Sequence, residues 1–102
     1  MLGPGKADLL AAIEETGSIA AAGRRMGMSY KRAWMLVETL NAAFVAPLVE
    51  STRGGSRGGG ARLTPTGATI LAHYRRMEDR ASAAAAPDID AIRRLSRGPG
   101  AG

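Results

Sequence analysis

The feature that most constrains the fold is a helix end followed almost at once by a helix start, at residues 27–29. Gly27 follows a stretch of small and basic residues, and glycine is favoured where a helix ends in the left-handed conformation. Ser29 has the side chain of a good N-cap, because its hydroxyl accepts a hydrogen bond from a free amide of the first turn. Two helices joined by so short a connection are typical of a helix-turn-helix.

Apolar spacing predicts helices on both sides of this turn. A first helix is expected from about residue 6 to 15, with Gly17 after its end. A second helix begins after Ser18, and its inner positions are small enough for a neighbouring helix to approach closely. These positions are Ile19, Ala22, Gly23 and Met26. The third helix carries apolar residues at helical spacing, and we expect Trp34 and Val37 on its packing face.

A glycine-rich basic loop flanked by short strand signals follows the third helix. Pro47 blocks that helix, and Leu48–Val49 has the apolar, partly β-branched character of a short strand. Residues 51–64 contain five glycines and three arginines without an acid, which predicts a flexible cationic loop. The segment 62–64 can pair back against 48–51, so the loop is interpreted as a wing with its tip at 54–60.

A fourth helix is predicted from Pro65, with Thr64 as its N-cap. Its apolar stripe consists of Gly67, Ile70, Leu71, Tyr74, Met77 and Ala81. Beyond Ala81 the pattern fades, and Pro87 favours a flexible or partly helical tail at 82–102. The fold class is therefore mainly α with a small β-hairpin: a winged helix-turn-helix with a three-helix core, occupying 1–81, with a long C-terminal helix.

Charge and composition narrow the choice of partners. The chain has 14 basic and 9 acidic residues, a net charge of +5 and a pI near 10.7, so it attracts polyanions. The absence of cysteine excludes disulfides and thiolate zinc sites. The sequence shows neither a signal peptide nor an apolar run of about 20 residues. We therefore expect a cytoplasmic protein at the nucleoid, with no membrane partner.

The basic start of the third helix suits double-stranded DNA, because the N-terminal turns of a recognition helix meet base edges in the major groove. Lys31 and Arg32 are expected to contact guanine or phosphate, and Met35 a thymine methyl; a solvated helix face is the alternative. Arg24 and Arg25 either complement the end of the second helix or contact phosphate. The candidate DNA-binding residues are Ser18, Arg24, Arg25, Ser29, Tyr30, Lys31, Arg32, Met35, Arg53, Arg57 and Arg62.

Enzyme chemistry has little support in this sequence. His73 is the only histidine, and no nucleophile lies beside it in a glycine-rich elbow. A zinc site would need further carboxylates, and none cluster. The wing lacks the Gly-Lys-Ser/Thr of a phosphate-binding loop, although a plain disordered loop stays possible there. We expect no catalytic residue, no metal and no cofactor.

With these elements in place, the chain resembles the N-terminal DNA-binding domain of the ModE-type molybdate-responsive transcriptional regulators, which is itself similar to the LysR-type winged helix-turn-helix. The resemblance covers roughly residues 5–80. The motifs that carry it are GSIAAAGRRMGMSYKRAWMLVETLN at 17–41, PLVE at 47–50, GGSRGGGARLTPTG at 54–67 and YRRME at 74–78.

This resemblance implies an operator-binding bacterial regulator that acts as a homodimer. It places the dimer contact on the first and last helices, at Leu9, Leu10, Ile13, Ile70, Leu71, Tyr74 and Met77. Full-length family members carry C-terminal oxyanion-binding domains, and nothing after Ala81 resembles one. Three alternatives then stay open: a stand-alone regulator, a regulator that works with a separate oxyanion-binding sensor protein, or one that has lost its response to the metal. The alternative function is a winged helix without sequence preference, acting at the nucleoid or on other proteins.

Overall fold

A computed structural model describes residues 2–55 and 58–98, with side chains described outside 53–59. The helices are α1 (Pro4–Thr16), α2 (Ile19–Arg25), α3 (Tyr30–Ala43) and α4 (Pro65–Leu95). Between α3 and α4 lies an antiparallel hairpin of β1 (Val49–Gly55) and β2 (Gly58–Leu63). This order confirms the winged helix-turn-helix predicted from the sequence.

Local side-chain chemistry sets the helix boundaries as predicted. The Ser18 hydroxyl accepts a hydrogen bond from the amide of Ala21, and the Ser29 hydroxyl accepts one from the amide of Arg32, both at 3.1 Å. Gly17 and Gly27 both adopt a φ of 70°, the left-handed conformation that glycine reaches without steric cost. The turn between α2 and α3 is therefore fixed at both sides by local interactions.

The core within residues 2–72 is built from large aliphatic side chains. The largest fully buried side chains are Leu9, Leu10, Ile13, Leu40 and Leu48. Leu9, Leu10 and Ile13 are each 0% exposed within a single chain, so the expectation that they form part of a dimer surface is corrected. A domain this small needs its largest apolar side chains inside, because its surface-to-volume ratio is unfavourable.

The packing face of α3 also differs from the expected one. Ala33, Val37 and Leu40 are buried, but Trp34 is 41% exposed and does not join the core. The reason is the close approach of α2, since a Cβ placed on Gly23 would lie only 3.1 Å from the Cβ of Ala33. This contact sets the rotation of α3 and leaves Trp34 on its outer side.

The base of the hairpin is tied to the helices by backbone contacts. The amide of Ala61 donates to the carbonyl of Gly17 at 2.9 Å. A Cβ on Gly60 would lie 2.8 Å from that carbonyl oxygen and 2.7 Å from the Thr52 hydroxyl, so β2 comes too close for any side chain there. The wing base is thereby held beside the start of α2.

Asn41 joins α3 to the first strand through three hydrogen bonds. Its amide nitrogen donates to the carbonyl of Val49 at 3.0 Å, and its oxygen accepts from the amides of Leu48 at 2.8 Å and Val49 at 3.1 Å. This one side chain therefore satisfies backbone groups of Leu48, just before β1, and of Val49, its first residue.

Asn41→Ala is expected to lower the free energy of unfolding by about 2–3 kcal/mol, because the backbone groups of Leu48 and Val49 lose their partner. Thr39→Ala is the matched control, since its hydroxyl bonds only the carbonyl of Met35 within the same helix. That change should stay within about 0.5 kcal/mol. Urea unfolding of both variants checks the difference, and equal losses would contradict it.

The fourth helix continues further than expected. It runs through Pro87 to Leu95, so the helical part of the segment expected to be flexible or partly helical, 82–102, extends to Leu95. Residues 83–86 are all alanine, the best helix former, which offsets the hydrogen bond that proline cannot donate. The chain divides into two compact units between Ala72 and His73, and the predicted boundary at 81/82 falls inside α4.

Candidate nucleic-acid interface

The first turns of α3 present positive charge to solvent. Lys31 and Arg32 are exposed, and Met35, one turn later, is 59% exposed. The Ser29 cap holds this turn in place through the amide of Arg32. The structure therefore brings together, on one outer face, the three residues expected to meet base edges.

The basic residues named as DNA-binding candidates fall into two groups: those paired with an acidic side chain and those without a described ion pair. Arg25 forms an ion pair with Glu15 at 2.8 Å, and the Arg62 Nε lies 2.8 Å from the Glu50 carboxylate. The second pair spans the hairpin, because Glu50 and Arg62 are directly opposed in its register. Both pairs are solvent-exposed, so each adds little stability, but each arginine has its charge compensated locally.

No ion pair among the described side chains includes Arg24, Lys31 or Arg32. Their charges are therefore open to an external anion. The sequence predicts the same two alternatives for Arg24 and Arg25: each complements the C-terminal end of α2 or contacts a phosphate. The Glu15 contact separates them, because only Arg24 keeps an uncompensated charge.

An open groove of about 350 Å³ runs beside α3 on the side of the wing base. Tyr30 and Trp34 form its α3 wall. The remaining lining residues come from the start of α2 and the hairpin: Ser18, Ile19, Ala20, Ser51, Gly60 and Ala61. Trp34, Ile19 and Ala20 were not among the predicted site residues. The sequence signal for the exposure of Trp34 was the pair of small residues Gly23 and Ala33, because they allow α2 and α3 to pack closely through Ala33 rather than through the indole.

Arg32 lies on the opposite flank of α3. It lines a second open cleft of about 330 Å³ together with Lys6, near the start of α1. The apolar part of this cleft is formed by Met26, Met28 and Leu36. The exposed face of α3 thus has an aromatic flank and a cationic flank, with Lys31 and Met35 between them.

Two of the wing candidates cannot be placed. Arg57 and the side chain of Arg53 lie outside the described residues. Ser18 is placed as the cap of α2, at the rim of the groove. The part of the wing described at this surface is its base.

His73, on α4, is the one histidine of the chain. His73 is exposed, and its Nδ1 lies 3.0 Å from a guanidinium nitrogen of Arg76. Within residues 2–55 and 58–98, no three metal-ligating side chains converge on one point. The helices described there are all too short or too polar to cross a membrane.

Comparison with known sequences identifies relatives of this chain. The family model for bacterial regulatory helix-turn-helix proteins of the lysR family matches residues 6–68. The molybdenum-pterin-binding protein MopB of Rhodobacter capsulatus is 48% identical over 77 residues, which are 76% of this chain and 28% of MopB. ModE of Escherichia coli K12, described as a DNA-binding transcriptional dual regulator, is 38% identical over 71 residues, 70% of this chain and 27% of ModE. The chain thus matches only about a quarter of these relatives' length.

Solved structures show the same fold. The DNA-binding domain of CbnR in complex with DNA superposes with a TM-score of 0.66 and 26% identity, covering 86% of this chain and 95% of that domain. LysG of Corynebacterium glutamicum gives a TM-score of 0.67 at 21% identity over 94% of this chain and 32% of LysG, a likeness of fold alone. The winged helix-turn-helix and the resemblance to ModE-type regulators, both predicted from the sequence, are confirmed.

Proposed function

The chain belongs to the bacterial regulatory helix-turn-helix proteins of the LysR family, and we propose that it regulates transcription by binding a specific DNA site through α3. The observation that carries this proposal is the capped start of α3, where Lys31 and Arg32 are exposed and free of described ion pairs. The solved complex of the CbnR domain with DNA supports it, since that domain has the same fold.

The proposed contacts follow from the shape of the helix and the groove. The major groove is about 12 Å wide and admits one α-helix. With α3 entering by its N-terminal turns, Lys31 and Met35 face the base edges. Arg32 reaches toward a guanine or phosphate on one side. Arg24, at the end of α2, contacts the phosphate backbone, where its uncompensated charge releases a counterion.

Binding to promoter fragments against scrambled competitors tests this function. Specific recognition gives an affinity for one fragment at least about a thousandfold above that for the competitor. A module without sequence preference, the alternative function, would bind all fragments equally and lose affinity steeply with salt. That second outcome would overturn the proposal of specific regulation.

We further propose that the chain acts as a homodimer through α4. In the second unit, large apolar side chains remain exposed on this helix: Met77 at 55%, Ile92 at 68% and Leu95 at 88%. At 100° per residue they fall on one side of the helix. An exposed apolar stripe of this kind indicates a protein contact, and a two-fold pair would present two copies of α3 to DNA half-sites.

Met77→Glu combined with Ile92→Glu is expected to convert the dimer to a monomer, because two charges would be buried at the contact. Ala83→Glu is the matched control, since this exposed residue lies on the other side of α4. Sedimentation equilibrium measures the change. A variant pair that stays dimeric, or a control that dissociates equally, would contradict the α4 contact.

The molybdenum-pterin-binding relative MopB supports a role in molybdenum-related gene control. We propose that the oxyanion-binding site lies outside residues 2–98. Molybdate or tungstate should then leave the thermal midpoint of this chain unchanged. A saturable rise in the midpoint, at concentrations where sodium sulfate has no effect, would instead place an oxyanion site on this chain.

A further inference from the structure

Two aromatic rings stand exposed on the groove side of α3. Tyr30 is 56% exposed and Trp34 is 41% exposed, and the two residues are four positions apart, so their side chains are neighbours on one helix face. With Lys31 and Met35 they line an open recess of about 300 Å³. Apolar surface left uncovered on a small domain is characteristic of a recognition site.

The position of the indole is set by the fold. Its neighbour Ala33 is fully buried, and the close approach of Gly23 to Ala33 fixes the rotation of α3 at this point. The Trp34 side chain also lines the groove between α3 and the base of the wing. The ring is therefore presented on a rigid helix rather than on a loop, which favours a defined contact.

The positive charge of Lys31 beside the two rings favours an anionic binding partner. Lys31 lines the same recess, and no described ion pair compensates it. The chain carries a net charge of +5, so a polyanion covers this surface more favourably than an apolar protein face, which would leave Lys31 buried and unpaired. The apolar group that B-DNA offers in its major groove is the 5-methyl of thymine.

We propose that Trp34 and Tyr30 form an apolar receptor for thymine methyl groups, and that this receptor supplies part of the sequence preference. The inference rests on the proposed DNA-binding function. It extends the methyl contact expected of Met35, which lines the same recess, to the two aromatic rings, and it acts beside the hydrogen bonds of Lys31 and Arg32. Burying one methyl against the indole is expected to strengthen binding about fourfold.

Substitution of deoxyuridine for thymidine tests the receptor, because it removes the methyl and keeps base pairing and hydrogen-bonding groups. The site selected by the wild-type chain is resynthesised with one such replacement at a time. Wild-type affinity should fall about fourfold at one or two positions in each half-site. Trp34→Ala should bind the original site more weakly and show no further loss at those positions.

Lys31→Ala is the comparison variant. It should lower affinity for every version of the site while keeping the fourfold penalty for the missing methyl, because the two contacts are separate. Circular dichroism confirms that Trp34→Ala folds, as expected for a residue outside the core. Absence of any preferred site would overturn the proposed function itself. A preferred site whose affinity ignores the methyls, or a Trp34→Ala variant that keeps the methyl penalty, would overturn the receptor alone.

Discussion

Replacement of Lys31 and Arg32 together by alanine is expected to weaken binding to the preferred DNA site by about a hundredfold or more, since each contact to a base or phosphate contributes roughly 1–3 kcal/mol. Both side chains are exposed at the start of α3, and no described acid compensates them. Folding should be unaffected, because neither residue belongs to the core. Fluorescence anisotropy with a labelled site measures the loss.

The structure offers two charge-neutral controls. Glu15→Ala with Arg25→Ala removes one exposed ion pair, and Glu50→Ala with Arg62→Ala removes the other. Each double variant keeps the net charge, so long-range attraction to DNA is unchanged. Both should bind within about threefold of wild type. Losses equal to that of the Lys31 and Arg32 variant would show that bulk charge, rather than the α3 face, determines binding.

The salt dependence of binding distinguishes a phosphate contact from a base contact for Lys31 and for Arg32. If Lys31 or Arg32 neutralises a phosphate, its removal reduces the slope of log affinity against log salt by about one per contact. If it contacts a base edge instead, preference among sequences falls and the slope changes less. Measuring affinity at several salt concentrations for each single variant therefore assigns each side chain to base or backbone.

Gly67→Ala is expected to destabilise the chain by about 3 kcal/mol, which corresponds to a fall of roughly 10 °C or more in the thermal midpoint. A Cβ at this position would overlap the carbonyl oxygen of Leu48 and lie 2.9 Å from its carbonyl carbon. The backbone of Leu48 cannot easily retreat, because its side chain is fully buried and its carbonyl accepts from the amide of Thr64.

Gly5→Ala provides the opposite case for comparison. Gly5 lies in α1, and nothing stands within 4 Å of a Cβ placed there. Alanine should stabilise that helix by up to about 1 kcal/mol, because it loses less conformational entropy than glycine. Thermal unfolding of the two variants should therefore move the midpoint in opposite directions. A Gly67→Ala chain as stable as wild type would contradict the close contact between α4 and the segment before β1.

The features predicted correctly from sequence are those that depend on neighbours in the chain. Ser18, Ser29 and Thr64 cap helices because a hydroxyl can reach an amide three residues later, whatever the rest of the fold does. Gly27 ends α2 because the left-handed conformation is open to glycine. These local rules were enough to predict the element order and hence the fold class.

The features that the sequence did not predict are relations between distant residues. The exposure of Trp34 depends on how closely Gly23 approaches Ala33, which apolar spacing along α3 does not reveal. The compensation of Arg62 by Glu50 depends on the register of the hairpin. The three hydrogen bonds of Asn41 depend on where β1 begins. Charge and periodicity alone could not have given any of these.

The candidate site was therefore predicted in part. The face of α3 with Lys31, Arg32 and Met35 follows from the sequence, because the helix start and the basic residues are both local features. Its aromatic flank follows only in part, because Tyr30 is among the predicted DNA-binding residues whereas Trp34 is predicted on the packing face of α3. The pairing of Arg25 with Glu15 also required the relative position of α1 and α2.

The most direct measurement is selection of bound sites from a random DNA library, carried out in parallel with wild type and with Lys31→Ala. Recognition by the start of α3 predicts one enriched motif for wild type. It also predicts loss of preference for Lys31→Ala at one or two positions in each half-site, with the other positions retained. An identical motif for both proteins, with only a uniform fall in affinity, would contradict base recognition by Lys31 and leave it as a backbone contact.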